Sequence, residues 1–148
     1  MARLIKTASA GKDRVLLQKG IVLAIRELAS QTGMNETTRD LLAYISLSLI
    51  SIGDTIDESV AAWEKRGYWV KADHFRMEWT WATTLGTEMK QAILDEDWGT
   101  VTRIIGQVTQ RLSTVKIAQR SRMGTPWIGA YRLIMSSNQG HLAKPAGA

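Results

Sequence analysis

The stretch AWEKRGYWVK, residues 62–71, decides the fold because it joins the two longest helical patterns in the chain. Before it, apolar side chains recur every three or four positions over 36–66, a spacing typical of one face of an α-helix. The same spacing resumes over 68–94. Gly67 can adopt the left-handed backbone that commonly ends a helix. The stretch therefore predicts a sharp corner between two long helices.

The helix after the corner has a sustained apolar seam, in which large and small side chains alternate. Its members are spaced four and three residues apart: Tyr68, Ala72, Phe75, Trp79, Ala82, Gly86, Met89 and Ile93. Small residues in such a seam let a neighbouring helix approach closely. We expect Trp63 and Tyr68 to close the core at the corner. Trp69 lies off the seam, and we expect it to be exposed.

Three further helices follow from the same periodicity, over 12–32, 97–120 and 126–135. Together with the central pair they predict an all-α protein, an antiparallel up-down-up-down four-helix bundle with a short fifth C-terminal helix and a disordered tail. The predicted single domain has four parts: a flexible basic N-terminal arm (1–11), the bundle (12–121), a basic and aromatic linker with the short helix (122–135), and the disordered tail (136–148).

The predicted helix ends carry residues suited to capping. Asn35 can accept hydrogen bonds from the free N–H groups that begin the second helix. Gly33 can stop the first helix, and Asp95 or Asp97 can begin the fourth. Pro126 suits the first turn of the fifth helix. These local signals, with the corner at Gly67, predict chain reversals at Gly33, at Gly67 and around Asp95.

Composition excludes several classes of protein. The 148 residues contain no cysteine, which excludes a disulfide framework, a zinc–thiolate site and a thiol nucleophile. No apolar run reaches the roughly 18 residues of a spanning helix, and the first residues lack the apolar core of a secretory signal. We expect a cytoplasmic protein that does not insert into membranes.

Charge is distributed unevenly along the chain, whose net charge is +5. Residues 1–19 contain five basic residues and one acidic residue, and residues 20–97 contain seven basic and thirteen acidic residues. Residues 98–148 contain seven basic residues and no Asp or Glu. Asymmetry of this kind is typical of a protein with a polyanionic partner.

An antiparallel bundle would gather basic residues from the corner and from the end of the fourth helix. We predict that they bind nucleic acid or another polyanion, with cations contacting phosphates and with Trp69 and Trp127 stacking on unpaired bases. The predicted site consists of Lys65, Arg66, Trp69, Lys71, Lys116, Arg120, Arg122, Trp127 and Arg132. We predict no catalytic residue, no metal ligand and no cofactor, and therefore a non-enzymatic protein.

In size, helical class and charge the chain is similar to small all-helical accessory subunits, such as the small subunits of CRISPR effector complexes, which line a nucleic-acid path. The similarity is one of general type. It implies that the protein acts as a small subunit of a larger complex.

Two alternatives remain open from the sequence. The chain could be an oligomeric scaffold or adaptor with protein partners, assembling through oppositely charged ends or through the broad apolar surface of the first helix. It could instead be a metal-binding bundle enzyme, if two acidic clusters faced each other across the second and third helices. Those clusters consist of Asp54, Asp57, Glu58, Asp73, His74 and Glu78.

Overall fold

The computed structural model describes residues 5, 7, 9–118 and 122–143, and this part of the chain is all-helical, as predicted. It contains five helices: α1 (Ala10–Leu28), α2 (Glu36–Lys65), α3 (Trp69–Leu94), α4 (Trp98–Arg111) and α5 (Ala130–Ala143). No strand occurs among the described residues. None of the helices described is both long and apolar enough to cross a membrane.

The core is built around α2, which packs against α1, α3 and α5. Seventeen of its 30 residues are buried, too many for a helix with a single packed face. Residues 40–49 form an unbroken buried run, so α2 is enclosed on all sides along this stretch. Asn35 begins the helix by accepting a hydrogen bond from the Thr38 N–H at 2.8 Å, which confirms the predicted cap.

The predicted corner at Gly67 is confirmed. Gly67 has a positive φ of 85°, and the Tyr68 N–H donates to the Trp63 carbonyl at 2.9 Å, as in a Schellman turn. Beyond it, α3 returns antiparallel to α2. Ser46 Oγ donates to the Gly86 carbonyl at 2.9 Å. The missing side chain of Gly86 permits this close approach, because a Cβ there would lie 2.8 Å from Leu49 Cβ.

The fourth helix is shorter than predicted, since α4 ends at Arg111 rather than at 120. It runs antiparallel to the second half of α3, where Arg103 pairs with Glu88 and the Arg111 guanidinium lies 5.4 Å from the Trp81 ring centroid. A turn follows at 112–114. Two of its residues are Ser and Thr, whose side chains compete for backbone hydrogen bonds and disfavour helix.

The fifth helix begins later than predicted and extends further. Residues 126–129 form a turn in which Gly129 has a φ of 86°. The buried Asp40 carboxylate of α2 accepts the N–H groups of Gly129 at 3.1 Å and Tyr131 at 3.0 Å, and so fixes the start of α5 at Ala130. Because α5 reaches Ala143, the predicted boundary between helix and tail at 135 is wrong. Residues 144–148 lie outside the described part.

The first helix is also displaced from its predicted span, 12–32. It begins at Ala10, where Ser9 Oγ accepts the Lys12 N–H at 3.2 Å, and it ends at Leu28. Ile5, in the segment predicted as an arm, packs against the core.

Candidate binding surfaces

The corner between α2 and α3 exposes large apolar side chains. Trp69, predicted to be exposed, is 63% exposed, and Val70 and Met77 are 72% and 69% exposed. Tyr68, which we expected in the core, is 54% exposed. The reason is that Tyr68 precedes α3 as its N-cap residue and does not lie on the buried face of the helix. Trp63 is half-buried and makes an edge contact with Phe75, with ring centroids 4.8 Å apart.

Charges at this corner are mixed. Four of the nine predicted site residues lie here, namely Lys65, Arg66, Trp69 and Lys71. Close by, Arg76 pairs with the Glu64 carboxylate at 3.0 Å and with the Asp73 carboxylate at 3.1 Å. Lys71 Nζ lies 4.5 Å from the Trp63 ring centroid, a cation–π distance. Carboxylates interleaved with the cations weaken the attraction of this corner for a polyanion.

Arg14 of α1 also reaches this end of the molecule, but its guanidinium is hydrogen-bonded to α2 and lies over an aromatic ring of α3. It donates to Thr55 Oγ1 at 3.2 Å, to the Thr55 carbonyl at 3.1 Å and to Ser59 Oγ at 2.7 Å. It also lies 4.8 Å from the Phe75 ring centroid. Burial lowers the pKa of Arg14 from its ordinary value. This cation therefore joins α1 to α2 and α3.

Lys116 and Arg122 do not join the corner. The chain turns away after α4, and Arg26 Nη1 donates to the Ala118 carbonyl at 3.2 Å. Arg26 lies twelve residues, or about 18 Å, along α1 from Arg14, which contacts the corner. Arg122 precedes Met123, whose methyl group lies over Gly20 in the middle of α1. The predicted gathering of Lys116 and Arg122 with the basic residues of the corner is thus not seen in the described part of the chain.

The remaining predicted site residues are Trp127, Arg132 and Arg120. Trp127 is only 5% exposed and belongs to the core, so it offers no free ring face for stacking. Arg132 is exposed on α5. Arg120 lies outside the described residues.

Basic residues instead collect along α1. Its exposed cations are Lys12, Lys19 and Arg26, which are seven residues apart and so lie on one side of the helix. The bond from Arg26 to Ala118 fixes the chain two residues after exposed Lys116, and Met123, next to exposed Arg122, lies at Gly20 of α1. We call these five cations the α1 basic surface. Two carboxylates occur in α1: Asp13 is buried, and Glu27 is half-buried.

Part of the α1 basic surface could have been predicted from the sequence. The regular spacing of three cations on the outer side of a predicted helix marks a basic stripe. The contribution of Lys116 and Arg122 could not be predicted, because it depends on where the chain goes after α4.

The acidic clusters do not form a metal centre. No group of three or more His, Asp or Glu side chains among the described residues is arranged to hold a metal ion. Asp73, in one of these clusters, pairs with Arg76. The metal-enzyme alternative therefore has no support from the described geometry.

No family model, curated protein or solved structure matches this chain. The two surfaces must therefore be interpreted from their own chemistry. One is an aromatic corner with mixed charges, and the other is a stripe of cations.

Proposed function

We propose that the protein is a non-enzymatic helical subunit that binds a polyanion, most specifically nucleic acid, along the α1 basic surface. The observation that carries this proposal is the bond between Arg26 and Ala118, which holds a segment without carboxylates against a helix whose outer side is basic. Lysine and arginine contacts to phosphates release counterions, which gives affinity independent of base sequence.

The spacing of the cations supports an extended ligand. Lys12, Lys19 and Arg26 follow one another at about 10 Å along the helix axis, since each residue advances the helix by 1.5 Å. Lys116 and Arg122, which follow α4 in the chain, would widen the stripe. A strand of nucleic acid lying along α1 could place phosphates against several of these side chains at once.

We also propose that α1 to α4 complete an antiparallel up-down-up-down bundle, with which the helix contacts are compatible. In that arrangement α1 keeps its outer side free for a ligand. Action as a small subunit of a larger complex is part of the proposal, and a cytoplasmic location stays a prediction from the sequence.

The proposal is tested by fluorescence anisotropy with labelled single-stranded oligo-dT and oligo-U of about 20 nucleotides. If all five cations contact phosphates of a single strand, the logarithm of the association constant should fall by about 3.5 per tenfold rise in salt. Between 50 and 200 mM salt the affinity should then drop roughly a hundredfold. Binding that does not respond to salt would refute an electrostatic site.

Two matched double variants locate the site, each removing two positive charges. Lys19→Ala/Lys116→Ala should weaken binding and lower the salt slope by about 1.4, the share of two phosphate contacts on a single strand. Lys65→Ala/Arg66→Ala, at the corner, should leave the affinity and the salt slope nearly unchanged. The reverse result would place the nucleic acid at the corner, where Trp69 could stack on a base, and would refute the α1 basic surface.

A further inference from the structure

The first half of α3 has an apolar stripe that no helix of the described chain covers. Its apolar residues are Val70 and Met77, and the polar imidazole of His74 lies between them at spacings of four and three residues. It continues along α3 through Trp81, where α4 begins to cover it. Because α4 ends at Arg111, opposite Trp81, the stripe is bare from Met77 back to the corner.

An open groove of about 580 Å³ lies along one edge of this stripe, bordered by Trp63 and Val70 and by four residues of the next two turns. Those four are Lys71, His74, Phe75 and Glu78. These four residues lie on one side of α3, about a quarter turn from the line of Val70 and Met77. The groove therefore widens the open face of α3 on the side of Lys71 and Glu78.

The charges beside the groove indicate which helix fits. Lys71 and Glu78 lie seven residues apart on the same edge of α3. If a second α3 packs antiparallel about a two-fold axis at His74, Lys71 of each copy lies within about 1.5 Å, the rise of one residue, of the level of Glu78 of the other copy. Val70 and Met77 of opposite copies are level to within the same distance. Both the apolar and the charged positions are thus self-complementary, as a two-fold contact requires.

We propose that this open α3 face, formed by Val70, Lys71, His74, Met77 and Glu78, binds a second copy of the chain through an antiparallel α3–α3 contact. The contact is short, so the dimer is weak and reversible. It is independent of the α1 basic surface, and it gives the assembly two such surfaces.

Sedimentation equilibrium from about 5 to 500 µM tests the association, a range suited to the weak dimers expected of small interfaces. The expected result is a monomer–dimer equilibrium that Met77→Glu shifts to monomer, because the new carboxylate would be buried against apolar side chains. Leu133→Glu is the matched control, since Leu133 is 57% exposed on α5. It should leave the dimer intact.

A charge exchange tests the antiparallel register. Lys71→Glu alone and Glu78→Lys alone each place like charges opposite one another twice, and each should weaken the dimer roughly tenfold, the equivalent of two surface ion pairs. Mixing these two variants restores both pairs, so heterodimers should form about as tightly as the original dimer. Circular dichroism melts should show that all variants are folded.

Three results would overturn the proposal. The first is a chain that stays monomeric at the highest concentration. The second is a dimer that Met77→Glu does not affect. The third is a mixture of the charge variants that associates no better than either variant alone.

Discussion

The two halves of α3 continue one apolar seam but have different surroundings. In the second half, Ala82, Gly86 and Met89 are buried, and α4 covers the outer side. In the first half, Ala72 is the one residue that is buried, while Val70 and Met77 are among the most exposed apolar side chains of the described chain. The difference comes from the length of α4, which covers one half and stops before the other.

Apolar periodicity therefore predicts that a helix has a packed face. It does not identify the partner that covers the face, or how far along the helix that partner extends. The outer side of α3 carries large apolar side chains in both halves, with Trp81 and Leu85 beside α4 and Val70 and Met77 exposed. A bare continuation of a packed stripe marks a surface suited to another chain.

Substitutions of two methionines, twelve residues apart in α3, should give the largest effect that tests this difference. Met89 is 0% exposed and Met77 is 69% exposed. Met89→Ala should lower the free energy of unfolding by about 2–5 kcal/mol, because it removes buried atoms and leaves a cavity. Met77→Ala should change it by less than about 0.5 kcal/mol in the monomer. Urea denaturation at low protein concentration measures both values, and equal losses would contradict the comparison.

A pair of glycines tests the close packing of the covered half. Gly86→Ala should destabilise the protein by about 1–3 kcal/mol, since the added methyl group meets the backbone and two side chains of α2. Gly106→Ala, in α4, should stabilise it by about 0.5–1 kcal/mol, because nothing lies within 4 Å of the new Cβ and alanine favours helix. Thermal melts should give shifts of opposite sign. Shifts of the same sign would mean that α2 and α3 are packed less closely than described.

The smallest effect concerns the start of α4, the helix that covers the second half. Hydrogen bonds from the Thr100 side chain and backbone N–H lower the pKa of Asp97. A lowered carboxyl pKa stabilises the fold above the unfolded value of about 3.9, and the contribution is lost as pH falls through the folded value. Asp97→Asn should therefore lower the melting temperature at pH 7, and the difference from the original protein should shrink towards pH 3. A constant difference would mean that the charge of Asp97 makes no contribution.

Local signals in the sequence predicted much of the fold. Asn35 and Asp97 begin helices, and Gly67 forms the corner, because each acts through backbone groups within a few residues. The exposure of Trp69 also follows from its position off the seam. These features need no knowledge of the rest of the chain.

Long-range contacts explain why some helix ends and part of the candidate site were predicted wrongly. Leu112 fits the helical seam, and it is buried, but in a turn beyond the helix. The segment after it is held by Arg26, 92 residues away in sequence. Likewise Asp40 of α2 fixes the start of α5. The candidate site differs from the predicted one for the same reason, since the position of Lys116 depends on the contact between Arg26 and Ala118.

Thiol labelling tests the bare first half of α3 most directly, because the chain contains no cysteine and gives no background. Met77→Cys, kept at low micromolar concentration, should react with a maleimide almost as fast as the same variant in denaturant. Met89→Cys should react at least about a hundredfold more slowly, since its thiol is reached only when the structure opens. Equal protection of the two thiols would contradict the account, because it would mean that the chain itself covers both halves of the helix.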